Sequence, residues 1–101
     1  MDKIEKPTEQ TPSLEELRGK IDFLDKKLFS VLAERMDLIP KIAEYKKVNG
    51  IPRVQPGREK SIIESRRKIA EELRFNPDLA ESIMKLIIED AHRIEIEIMD
   101  K

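Results

Sequence analysis

A chain of 101 residues can enclose one modest hydrophobic core. Charged residues make up 41% and aromatics 4%, with no Trp, a balance that favours helices over a β-sandwich. Lys and Arg number 20 against 21 Asp and Glu, so no basic field marks a nucleic-acid partner, and the lack of Cys excludes a disulfide framework and thiolate chemistry.

Residues 1–13 are polar, with Pro7 and Pro12, and carry no apolar stretch of the kind a signal peptide needs. A disordered lead-in is expected there, followed by one helical domain over 14–101. No run approaches the roughly 20 apolar residues of a membrane span, so a soluble, cytoplasmic protein with no membrane partner is expected. Ser13-Leu14-Glu15-Glu16 has the pattern of a capping box and opens a first helix predicted from Leu14 to Val48. Counted in heptads, Leu14, Ile21, Leu28, Arg35 and Ile42 fall at a, and Leu17, Leu24, Val31, Leu38 and Tyr45 at d. This 3.5-residue period predicts a long helix packed on other helices, with Arg35 alone able to bury no simple apolar surface. Some 35 residues give a rod of about 50 Å. A compact chain of this size has a diameter of about 33 Å. A second copy should therefore cover the rest of the seam, as a two-fold helical dimer. Pro40, at heptad f, removes a backbone donor and predicts a kink on the solvent side. Asn49-Gly50 supplies a left-handed stop, and Ile51-Pro52 an extended exit.

A second helix is predicted from Pro56, as its first residue, to about Arg74, with Ile62, Ile63, Ile69, Ala70 and Leu73 as its apolar positions. Gln55 is a poor cap for it, and Arg58 in the first turn opposes the helix dipole, although Glu59 beside it offsets the charge. Asn76-Pro77-Asp78 opens a third helix running to about Met99. Its expected main stripe is Leu79, Ile83, Ile87, Ile94 and Ile98, with Met84, Ile88, Ala91 and Glu95 on a neighbouring line. The fold class is all-α: three helices, the first much the longest.

The charges on these helices suggest an anion site. Arg35 loses hydration in the seam and needs a partner, either a bound anion or a carboxylate of another helix. Lys46 lies eleven positions on, within about 20° on the same face and about 16 Å away, so the two could share one small ligand. Arg18 lies about 25 Å before Arg35 and could reach that ligand only from an antiparallel partner. The structural alternative for Arg18 and Lys46 is a solvated flank, and for Glu95 a rim position reaching water. His92, near the edge of the polar face, is read as solvated and without a role. No Cys/His cluster suggests a metal, and no Ser-His-Asp grouping is evident.

Leu17-Arg18-Gly19-Lys20-Ile21-Asp22, Leu32-Ala33-Glu34-Arg35, Lys46, Pro52 followed by Arg58-Glu59, and Leu86-Ile87-Ile88-Glu89-Asp90 resemble the all-helical class of chorismate mutase. The resemblance covers Leu14 to Met99. It implies an intertwined homodimer with two shared sites, no cofactor, and a [3,3] rearrangement of the dianion chorismate to prephenate in aromatic amino-acid biosynthesis. It further implies that Arg18 of the partner and Arg35 hold the two carboxylates, with Arg58 on the carboxylate side. Lys46 and a donor at Glu95 would stabilise the breaking ether oxygen, and Glu59 would accept from the ring hydroxyl. Three positions depart from the family: Gln55 stands where Asp is usual, Ala91 where Ser is frequent, and Glu95 where most bacterial members carry Gln. An isochorismate–pyruvate lyase on the same fold, and a non-catalytic helical dimerisation module, are the competing readings.

Overall fold

The computed structural model describes residues 11–100; most of the expected lead-in, residues 1–10, lies outside them. The described residues form three helices: α1 over Leu14–Asn49, α2 over Arg58–Leu73 and α3 over Pro77–Met99. The chain divides into two compact units, one ending at Arg35 and the other beginning at Met36.

The first unit is helical from Leu14 onwards. Its start is the predicted capping box: the Glu16 amide donates to Ser13 Oγ at 3.1 Å, and the Ser13 amide to Glu16 Oε1 at 2.9 Å. None of its described residues is buried. The seam residues Leu17, Ile21, Leu24, Leu28 and Val31 are all exposed, Val31 at 63%.

In the second unit, α1 continues through Pro40 without a break in assignment. Its buried residues are Ile39 and Ala43, with Met36 and Lys46 half-buried on the same stripe, while Leu38, Ile42 and Tyr45 stay exposed. The face that packs within this unit is therefore displaced by about one position from the a/d seam. The same displacement occurs on α3. Ala80, Ile88 and Glu95 are buried, whereas Leu79 and Ile83 of the expected main stripe are 51% and 40% exposed. Alanines at the contacts let the helices approach closely: Ala43 and Ala70 have no exposed surface.

Helix α2 begins two residues later than predicted. Gln55-Pro56-Gly57-Arg58 forms a turn in which the Arg58 amide donates to the Gln55 carbonyl at 3.1 Å, with Gly57 at φ 82 and ψ -14. Proline then glycine at the two central positions is the type II pattern. Gly57 is thus the cap residue, and Arg58 is the first residue of the helix proper. At its other end α2 closes on Arg74 in the left-handed region, φ 66, with the Phe75 amide donating to the Ala70 carbonyl at 3.0 Å. Asn76 caps α3 as expected, its side chain accepting from the Asp78 amide at 2.9 Å. Arg67 ties α2 to α3 through Glu81 Oε1 at 2.8 Å and Asp78 Oδ1 at 3.0 Å. Hydrogen bonds from Lys85 and then Arg67 hold the Glu81 carboxyl below its ordinary range. A depressed carboxyl stabilises the fold at neutral pH, and that contribution is lost as pH falls through its folded-state value.

Arg74 is the one described residue other than glycine with positive φ. A side chain in that conformation costs about 1 kcal/mol, which glycine avoids. Arg74→Gly is expected to raise unfolding free energy in urea by about 0.5–1 kcal/mol; no gain would mean that the side chain offsets its own strain.

Candidate functional site

The last turn of α1 sets the site. Gly50 at φ 67 lets the Ile51 amide return to the Lys46 carbonyl at 2.9 Å and the Gly50 amide to the Lys47 carbonyl at 3.5 Å. This paired closure pins Lys46 at the helix end and turns the chain outward. Ile51-Pro52 then favours an extended backbone. The carbonyl of Arg53 lies 2.7 Å from Lys46 Nζ and accepts from it.

Lys46 Nζ also donates to Glu95 Oε2 on α3 at 3.0 Å. Their side chains are only 16% and 8% exposed, so both groups have given up most of their water. Such a pair persists only where further hydrogen bonds offset the desolvation, and the Arg53 carbonyl supplies one. Two of the three ammonium donors are thereby aimed by the protein, which orients the third.

His92 lies one helical turn before Glu95, so it shares that side of α3. Its Nδ1 is 3.2 Å from Arg53 Nη1 and 3.9 Å from Glu95 Oε1. A guanidinium can only donate, so Nδ1 is the acceptor and the ring proton of the neutral imidazole sits on Nε2. Nε2 faces Glu59 Oε2 in the first turn of α2, at 3.6 Å. Five side chains from three helices and the connection between α1 and α2 thus form one cluster: Lys46, Arg53, Glu59, His92 and Glu95. Two cations face two carboxylates, with the neutral imidazole between them.

Of the residues singled out from sequence, Lys46, Glu59 and Glu95 meet here. Glu95 is the buried charged residue of this unit and not a rim position. Ala91 is half-buried beside His92, while Gln55 and Arg58 flank the turn before α2 and are exposed. Arg18, exposed, and Arg35, half-buried, belong to the first unit. His92, read as solvated, instead bridges Arg53 and Glu59; its spacing from Glu95 was the available signal. Arg53 carried no such signal, because its role depends on where Pro52 directs the backbone. Among the described residues, no group of three or more His, Asp or Glu side chains could hold a metal ion. Among the described residues, no helix is long and apolar enough to cross a membrane.

A long capped first helix, and a lysine–glutamate pair joining that helix to the third, define an all-helical protein with a polar cluster where its helices meet. Residues 17–96 match the family described as chorismate mutase type II. The chain is 38% identical over 76 residues to a chorismate mutase of Methanocaldococcus jannaschii, covering 75% of this chain and 77% of that protein. It is 39% identical over 79 residues to the T-protein of Enterobacter agglomerans, which covers 78% of this chain but only 21% of that protein. It is also 31% identical over 94 residues to a 4-amino-4-deoxychorismate mutase of Streptomyces venezuelae, covering 93% of this chain and 90% of that protein. The chain spans about a fifth of the length of the T-proteins it matches. It belongs to the chorismate mutase type II family.

Removing one half of the buried pair leaves the other half stranded. Lys46→Met is expected to cost about 3 kcal/mol in urea unfolding, and adding Glu95→Leu should recover most of that loss. A single variant as stable as the double would show that Glu95 does not depend on Lys46.

Proposed function

We propose that this chain is a chorismate mutase that works as a two-fold homodimer, rearranging chorismate to prephenate without a cofactor. The observation that carries the reading is the half-buried Lys46 side chain, its ammonium fixed by Glu95 and the Arg53 carbonyl within the span that matches the family. The exposed a/d residues of α1 support the second copy: an apolar seam this long favours burial against a partner helix.

In the rearrangement one ether C–O bond breaks as one C–C bond forms within the same molecule, so no external group gives or takes a proton. What a protein can contribute is conformation and charge. Arg35 and Arg18 of the partner subunit would grip the two carboxylates by planar forks and fold the substrate into its reactive chair. Arg58 would assist on the carboxylate side, and Glu59 would accept from the ring hydroxyl. With Gln55 and Ala91 in place of the usual Asp and Ser, fewer polar contacts reach the substrate. Negative charge grows on the ether oxygen as its bond to carbon lengthens. The spare donor of Lys46 would meet that oxygen, and the interaction strengthens towards the transition state. The product would feed phenylalanine and tyrosine synthesis in the cytoplasm.

The Streptomyces relative favours one second reading, in which the ring substituent is an amine and the substrate is 4-amino-4-deoxychorismate. Incubation with each compound decides between them.

Chorismate depletion by the purified chain is the direct test. Arg18→Ala and Arg35→Ala should each lower turnover by about 100-fold or more. An equimolar mixture should restore about a quarter of the wild-type rate, because one site in each heterodimer keeps both arginines. Subunit exchange with no recovery would show that the two arginines do not act across an interface.

Glu95 supplies a further test. As a carboxylate it cancels part of the Lys46 charge and repels the developing oxyanion, whereas the neutral acid can donate to it. Glu95→Gln keeps a donor at every pH, so it is expected to raise turnover between about pH 7 and 8 and to flatten any alkaline decline. A pH profile unaltered by this change would place Glu95 away from the breaking bond.

A further inference from the structure

Resting on the mutase reading above, we infer that His92, held by Arg53, is the specificity-determining residue that favours a neutral hydroxyl over a charged amine opposite Glu59. Glu59 is the one acidic side chain of the cluster that is open to a ligand: 59% of it is exposed, against 8% for Glu95. A ring hydroxyl and a ring ammonium can both donate to its carboxylate, which by itself favours the ammonium. A positive charge beside Glu59 opposes that preference.

Arg53 Nη1 at 3.2 Å fixes the orientation of the imidazole and aims Nε2 at Glu59. Nε2 is 3.6 Å from Glu59 Oε2, so any donor seated on Glu59 lies within a few ångströms of the ring edge. The groups that face His92 are Arg53 from the connection, Glu59 from α2 and Glu95 from its own helix, with Lys46 of α1 behind Glu95. Their formal charges balance while the imidazole is neutral. A hydroxyl leaves that balance intact, and an ammonium adds one positive charge, attracted by Glu59 and set beside the edge of the His92 ring.

Imidazole changes charge between about pH 5 and 8. Protonation puts a second proton on Nδ1, which then cannot accept from Arg53, and a positive ring stands next to the substrate donor. The amine-bearing substrate is repelled by that ring, whereas the hydroxyl-bearing one has no net charge there to repel. Discrimination is thus expected to sharpen as the solution becomes acidic. Effects that act on both substrates alike divide out of the ratio of their rates.

The experiment measures kcat/KM for chorismate and for 4-amino-4-deoxychorismate between about pH 5.5 and 8 on the dimeric protein. The expected wild-type ratio of chorismate to amine falls by about fivefold as pH rises, the size of a screened like-charge contact at this range. His92→Gln keeps a polar, neutral group and should give a ratio flat with pH; His92→Lys keeps the charge and should hold the ratio high throughout. A wild-type ratio that does not change with pH overturns the proposal, whether or not the variants fold. So does a His92→Gln ratio that follows the wild type. Turnover of neither compound overturns the mutase reading and this proposal with it. Turnover of chorismate with a pH-independent ratio overturns only the role of His92.

Discussion

A charged pair withdrawn from water constrains everything around it. Lys46 and Glu95 are joined at 3.0 Å with little exposure, and the cost of desolvating both must be offset by geometry. That geometry comes from three directions. The left-handed closure at Gly50 holds the end of α1, the Pro52 exit presents the Arg53 carbonyl, and the register of α3 delivers the carboxylate. A shift of one residue in any of these would leave a buried charge without its partner. The ion pair thereby fixes register, and the same hydrogen bonds that satisfy it hold the ammonium in one orientation.

Helix α1 divides its faces between two tasks. Ile39, Ala43 and Lys46 serve the second unit, and the a/d residues beside them remain exposed. The buried set is small and rich in alanine, which allows close helix contact but removes little apolar area per residue. A chain with so modest a core and so long an exposed apolar seam gains most by burying that seam against a second copy. On the proposed reading assembly and site formation are one event, because the partner helix that covers the seam also carries an arginine.

The chain is similar to relatives named for chorismate, over 76 residues, and for its 4-amino analogue, over 94. Both substrates demand the same conformational control and the same charge stabilisation at the ether oxygen. They differ only at the ring substituent, where Glu59 would act. Selectivity within such a family can therefore lie in residues that border Glu59 and leave the reacting bond alone. His92 and Arg53 occupy that border.

Local patterns carried the elements. The Ser13–Glu16 capping box, the Asn76-Pro77 start and the Asn49-Gly50 stop were legible because caps involve residues a few positions apart, whose contacts the chain cannot avoid. The start of α2 was misread because proline can open a helix or sit in a turn; Gly57 in the left-handed region selected the turn. Which stripe of α1 and α3 would be buried was not legible to one residue, since neighbouring stripes are almost equally apolar and only the packing partner chooses between them. Lys46 and Glu95 were named from their sequence pattern and Glu59 through the family resemblance, but their meeting in one cluster was not foreseen. His92 and Arg53 were missed for the same reason. A side chain's charge is written in the sequence, whereas the groups that face it, separated by as many as 49 positions for Lys46 and Glu95, are decided only when the helices pack.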